Sequence, residues 1–264
     1  MEIPIQRWKN AIESRQSTRT YKNKIVPQEI VESLKEFIAY VNNRVEGVRA
    51  VFVVDGGRKV VQTIIGSYGI IKGVRSYIAF IADEDDERFP EKLGYLGEMC
   101  VLEATSLGLD TCWISGTFKP GVVERQIKIE EGEKVVAITP VGYGKEKKSI
   151  IEKIMKKMVS SRERKSLEEL CPEGYQENWP EWIKTSLELA RIAPSAVNKQ
   201  PWRFIISDDE KRIKIYPDSA EKLERKRLDC GIAMLHIEIG ARSCGIEGQW
   251  NYMKSPGIAV YSIE

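Results

Sequence analysis

Trp113 and Trp250 stand 137 residues apart, and the same interval recurs along the residues before them. Gly94 meets Gly231, Ala104 meets Ala241, Ser106 meets Ser243, Gly108 meets Gly245 and Leu109 meets Ile246. Each set reads as an amphipathic helix ended by a glycine, the residue that best accepts the left-handed backbone of a helix C-terminus. Strand-like runs follow, Val135–Val141 after the first set and Ser255–Ile263 after the second. Two amphipathic helices can look alike by chance. A spacing kept through helix, glycine and tryptophan, with a strand after each, argues instead for an internal duplication, and so for two similar halves.

A second constraint is Pro194. Glu181–Ala193 has the apolar spacing of a helix, and Pro194 ends it because proline lacks an N–H and disfavours helical backbone in the residue before it. Ser195, Asn198 and Gln200 follow in a short loop, and Pro201-Trp202 leads into an apolar strand at Phe204–Ile206. Such a loop either holds amides and hydroxyls beside a pocket or merely connects a helix to a strand, its polar groups serving its own backbone. Elsewhere the pattern predicts helices over residues 7–14, Gln28–Asn42, Leu93–Leu107 and Ser149–Ser160, and strands at Ala50–Val54, Tyr77–Ala82 and Val135–Gly142. The 149–160 helix carries an apolar stripe over Ile150–Val159 with lysines between, suited to packing on its own protein or, as the alternative, to touching a membrane or an acidic partner.

Charge narrows the function. A net charge of +2 with 30% charged residues gives no field suited to nucleic acid. The N-terminus lacks a signal-peptide layout and no apolar run approaches a membrane span, so neither membrane nor export is expected. Five cysteines without a C-x-x-C pair suit reduced thiols in the cytoplasm, and Cys100, Cys112, Cys230 and Cys244 read as core residues. The single histidine, His236, sits in an apolar helix with no companion for a metal, and no nucleophile elbow or phosphate-binding P-loop occurs. One polar string does suit an anion. Arg15, Ser17 and Arg19 combine guanidinium forks with a hydroxyl, as a phosphate requires, although such strings also decorate solvated surfaces.

Taken together, Arg15-x-Ser17-x-Arg19 and the Pro194-Ser195-x-x-Asn198-x-Gln200-Pro201-Trp202 loop resemble the two hallmarks of the FMN-dependent nitroreductases. Glu98–Trp113 resembles that family's E-x-x-x-L-x-A-x-x-L-G-L-x-T-x-W region, and Arg162–Leu170 its R-K-P-L-E-E ending. The loop motif stands near the N-terminus in the family. Here it is missing after the second helix, where Val41–Val48 reads V-N-N-R-V-E-G-V, and comes late instead. The resemblance therefore points to the tandem branch, in which two protomers are fused. It implies an α+β fold, a mixed sheet flanked by helices, with residues 1–170 and 171–264 as two similar halves, the second shortened, intertwined as one globule. The fused pair would act as a monomer, a pseudo-dimer in one chain.

The same resemblance implies FMN as cofactor and NAD(P)H as electron donor, with nitroaromatic, quinone or related small molecules as acceptors. Arg15, Ser17 and Arg19 would hold the flavin phosphate and ribityl chain, with Lys72, Lys145 and Lys147 as further candidates. Ser115 and Gly116 would lie near the ring. Pro194, Ser195, Ala196, Asn198 and Gln200 would complete the flavin site from the other half. The family requires no acid or base from the protein, and none is assigned. Two alternatives stay open: a protein that stores or senses flavin without efficient turnover, and a scaffold whose pocket has degenerated.

Overall fold

A computed structural model describes residues 3–63, 71–145 and 163–264. The chain divides into two compact units, one of residues 14–161 and one of residues 1–13 with 162–264. Within the later unit Glu163 and Lys165 are hydrogen-bonded to Asn198 and Gln200. Helix α1 (Ile5–Ser14) opens the chain and buries Trp8, Ala11 and Ile12 at helical spacing.

The 14–161 unit runs α2 (Gln28–Asn42), β1 (Val48–Val53), α3 (Gly57–Val61), β2 (Ser76–Asp83), α4 (Phe89–Ser106), β3 (Asp110–Thr111), β4 (Ile114–Ser115), α5 (Pro120–Glu124) and β5 (Glu133–Gly142). Its sheet has the order β1-β2-β5-β3, with β4 also on β5. Val53 pairs with Tyr77, Ala79 with Ile138, Thr111 with Val141 and Ser115 with Ala137. β2 is buried from Ser76 to Ala82 on both faces, which is why it reads as a continuous apolar run. Helix α4 is buried on nearly every side, Glu91, Glu98 and Glu103 included. Trp113 Nε1 donates to Glu98 Oε2 at 2.7 Å, and the Trp113 ring stacks on Phe80 with centroids 4.6 Å apart.

The other unit runs α6 (Leu167–Leu170), α7 (Glu181–Arg191), β6 (Trp202–Ile206), β7 (Arg212–Pro217), α8 (Leu223–Ser243), β8 (Gln249–Tyr252) and β9 (Ala259–Ser262), with sheet order β6-β7-β9-β8. Its path repeats that of the first unit. A helix leads into a hairpin of two strands, a long buried helix follows, and the last strand pairs between the second strand and the segment after that helix. Two hydrogen bonds recur at the two helix ends. Leu109 N–H donates to Ala104 O at 3.0 Å and Gly108 N–H to Thr105 O at 2.9 Å. At the same interval Ile246 N–H donates to Ala241 O at 3.1 Å and Gly245 N–H to Arg242 O at 3.0 Å. Gly108 and Gly245 sit at φ of 80° and 77°, the left-handed cap that only glycine takes without steric penalty.

The α+β class is thus as implied. All pairs of named strands are antiparallel, and the parallel component consists of isolated bridges at Ser17–Thr111 and Thr20–Lys72. Among the described residues no helix is long and apolar enough to cross a membrane. Cys100, Cys112 and Cys230 are core residues as expected, but Cys244 is exposed, because it stands one residue past the end of α8. The Ile150–Val159 stripe lies outside the described residues. His236 is a satisfied core residue, its Nδ1 2.9 Å from Leu189 O on α7.

Helices α7 and α8 meet at Gly240, where an added Cβ would stand 2.4 Å from Ser186 Cα. Backbone cannot yield as a flexible side chain can. Gly240→Ala is therefore expected to lower stability by about 1–3 kcal/mol in urea unfolding, the usual penalty of overpacking; an unchanged midpoint would show that the helix pair is loose there.

Candidate functional site

After α1 the chain runs extended through the arginine strip and is fixed to three places of its own unit. Thr18 N–H donates to Thr111 O at 2.9 Å, beside the Ser17–Thr111 bridge. Tyr21 N–H donates to Lys72 O at 2.8 Å and Lys72 N–H returns to Arg19 O at 2.9 Å. Lys22 N–H donates to Tyr143 O at 2.7 Å and Lys145 N–H to Thr20 O at 3.0 Å. A single carboxylate ties the strip to the end of β5: Asp110 Oδ1 accepts from Thr18 Oγ1 and Oδ2 from Gly144 N, each at 2.8 Å. The strip passes so close to Gly73 that a Cβ there would lie 2.2 Å from Tyr21 O.

Main-chain pairing thus gathers Arg15, Ser17, Arg19, Lys72 and Lys145, which are far apart in sequence. Ser17, Lys72 and Lys145 are exposed, whereas Arg15 and Arg19 are half-buried. Arg15 Nη1 and Arg19 Nε are wholly buried and lack a hydrogen-bond partner among the described residues, as does Thr111 Oγ1. A buried donor left unmatched costs about 1–3 kcal/mol, and more when it belongs to a charged group. Arg15, Ser14, Gln16 and Thr18 line a polar cavity of about 350 Å³ together with Thr105, Asp110, Thr111, Gly144 and Lys145. That volume lies at the small end of ligand pockets. Ser17, Arg19 and Lys72 do not line this cavity. Ser115 pairs with β5 four residues away from Thr111, roughly 13 Å along the strand. Lys147 lies outside the described residues.

The loop of the other unit is built differently from a set of free side chains. Val197, Asn198 and Gln200 all take left-handed backbone, at φ of 47°, 58° and 49°. Such positions cost about 1–3 kcal/mol each outside glycine and persist only when the surroundings fix them. Ser195 Oγ accepts from Gln200 N at 2.9 Å and closes the turn. Asn198 Nδ2 donates to Glu163 O at 2.8 Å, and Asn198 Oδ1 accepts from Arg164. Gln200 Oε1 accepts from Lys165 N at 2.8 Å. The two amides expected to face a ligand are therefore engaged by residues 163–165. Both carboxylate oxygens of Asp229 lie 3.2 Å from Ala196 N. Burial pushes the Asp229 carboxyl up to about 7, with the Ala196 N–H drawing it back down.

Sequence reasoning missed Asp110, Thr18, Thr111 and Asp229. Asp110 had a signal, an acid two residues after a helix-ending glycine. Asp229 had one as well, since it heads the apolar run from Cys230 to Ile237.

A family model described as "Putative TM nitroreductase" matches residues 8–241. A crystal structure from Thermotoga maritima under the same description is 20% identical, covers 97% of this chain and 93% of its own, and superposes with a TM-score of 0.63. At that identity the likeness is one of fold. An FMN-dependent nitroreductase from Clostridium difficile is 21% identical over 53% of this chain and 88% of its own, with a TM-score of 0.43. A nitroreductase family protein from Streptococcus pneumoniae is 18% identical over 54% and 92%, with a TM-score of 0.44. No curated protein matches the chain.

Asp110 offers a direct test of the strip. Asp110→Ala strands the Gly144 N–H and frees Thr18, so it should cost about 1–3 kcal/mol in urea unfolding and speed amide exchange over residues 18–22. Unaltered exchange there would show that the main-chain bridges alone fix the strip.

Proposed function

The chain belongs to the "Putative TM nitroreductase" family, and on that premise we propose that it is an FMN-dependent oxidoreductase whose strip of Arg15, Ser17 and Arg19 holds the flavin phosphate. The observation that carries this reading is the pair of buried guanidinium atoms, Arg15 Nη1 and Arg19 Nε, left without an acceptor. A phosphate dianion supplies oxygens in the geometry that a guanidinium fork binds best. Thr111, whose buried Oγ1 is a third unmatched donor, is among the residues that line the polar cavity with Arg15. The residues present thus fit the group.

Lys72 and Lys145, fixed by their backbone to the strip, add positive charge, and Lys147 extends the same role. Ser115 and Gly116 are assigned to the ring end, where a glycine backbone admits a flat ligand closely. Pro194, Ser195, Ala196, Asn198 and Gln200 are assigned as further flavin contacts through main-chain groups as much as side chains, given the engagement of both amides. Bound FMN would supply hydride acceptance from NAD(P)H and delivery to a nitroaromatic, quinone or related acceptor. The protein's share is to bind and orient the cofactor.

One observation favours the second reading, a flavin binder without efficient turnover. Asn198 and Gln200 are committed to residues 163–165, which leaves fewer side-chain groups to tune a ring. Turnover separates the two. NADH or NADPH should bleach bound FMN anaerobically, and a quinone should restore the colour; flavin that stays yellow under excess of both donors would favour storage.

The phosphate assignment is tested by affinity. Arg19→Ala removes a charge-assisted contact of about 1.5–3 kcal/mol, so FMN should bind about 10–150-fold more weakly in a fluorescence titration. Wild-type affinity in both Arg15→Ala and Arg19→Ala would place the phosphate elsewhere.

A further inference from the structure

We propose that Asp229 is a positioning residue: from helix α8 its carboxylate holds the strained Ser195–Gln200 loop in shape, and protonation loosens that hold. The loop's role toward flavin rests on the reading above, whereas the hold itself is a property of this unit alone.

Three left-handed residues without a glycine among them form a segment that relaxes unless it is pinned at several points. The pins at Ser195, Asn198 and Gln200 tie the loop to itself and to residues 163–165. Ala196 N–H is tied to the helix instead, and both Asp229 oxygens share it at 3.2 Å. Asp229 is 5% exposed and heads a run of apolar residues that pack in the core. An isolated buried carboxylate is costly, and at this place a leucine or alanine would pack without that cost. What the acid adds is a charged acceptor for a main-chain N–H at the first strained turn, a stronger bond than a neutral acceptor gives.

Among the described residues no cation forms an ion pair with it. The elements packed against α8 bring Glu181, Lys184, Glu188 and Arg191 on α7, Arg203 on β6, and Arg212 and Lys214 on β7. Burial, and then the Ala196 N–H, govern the titration of Asp229. The group consequently changes charge at about pH 7, against 3.8 for an ordinary aspartate. The linkage runs in two directions. A carboxyl raised in the folded state favours folding fully below about pH 4, and this contribution declines as pH rises to about 7. The bond to Ala196 strengthens over the same rise, so loop order and global stability respond oppositely to pH.

Amide hydrogen exchange at Ala196 and its neighbours, measured on the flavin-free chain from pH 5.5 to 8.5 and corrected for intrinsic rates, tests this. In the wild type, protection of the loop should increase about tenfold with a midpoint near pH 7. In Asp229→Asn, which keeps a neutral acceptor, the profile should be flat, and the chain should gain stability above pH 7. Asp229→Ala should lose the protection at every pH. Wild-type protection that is independent of pH and equal to that of Asp229→Asn would overturn the proposal, and this comparison holds even if the alanine variant does not fold. Repeating the titration with FMN separates the two readings. Loop protection that follows Asp229 in a chain that never binds FMN would sink the flavin assignment and leave the positioning role standing.

Discussion

The candidate site depends on one carboxylate. Asp110 accepts a hydroxyl from the arginine strip with one oxygen and a main-chain N–H from the end of β5 with the other. This double bond of strip to sheet fixes the register in which Thr18 meets Thr111 and Thr20 meets Lys145. Arg15 and Arg19 are carried along, and one atom of each guanidinium group is buried without a hydrogen-bond partner among the described residues. A strip held only at its helical end would instead leave its arginines in water, where a phosphate binds weakly.

Comparison of the two units shows what the duplication retained. The glycine-capped helix ends share two hydrogen bonds, which are set by local backbone geometry. The polar groups diverged. Asp110 corresponds at the repeat interval to Glu247, whose side chain is 85% exposed and pairs with Arg242 at 3.7 Å. Glu98, which receives the Trp113 indole, corresponds to Leu235, so Trp250 Nε1 is buried with no acceptor. The later unit therefore shares the framework and lacks the polar ties found around the arginine strip. In their place it carries the strained loop after α7, with Asp229 beneath it.

Most of the framework was legible in the residues. The left-handed glycines, the helices at Gln28–Asn42 and Glu181–Arg191, and the strands at β2 and β5 follow from apolar spacing and glycine placement, both short-range signals. The site was legible in part. Arg15-x-Ser17-x-Arg19 is a readable string, but its junction with Lys72 and Lys145 is made by main-chain pairing, to which side-chain type is nearly indifferent. Asp110 and Asp229 act across 34 and 33 residues, on Gly144 and Ala196, and no local pattern marks such partners. The loop amides were assigned to flavin through the resemblance, and their hydrogen bonds to residues 163–165 are long-range partners that no local pattern marks.

The central claim is that one arginine strip, present in the 14–161 unit alone among the described residues, makes one flavin phosphate site in each chain. Saturating titration of accurately quantified protein with FMN, followed by flavin absorbance after removal of the unbound fraction, measures that number. The account predicts one FMN per chain. Two equally tight FMN per chain, or none at all in a folded sample, would contradict it.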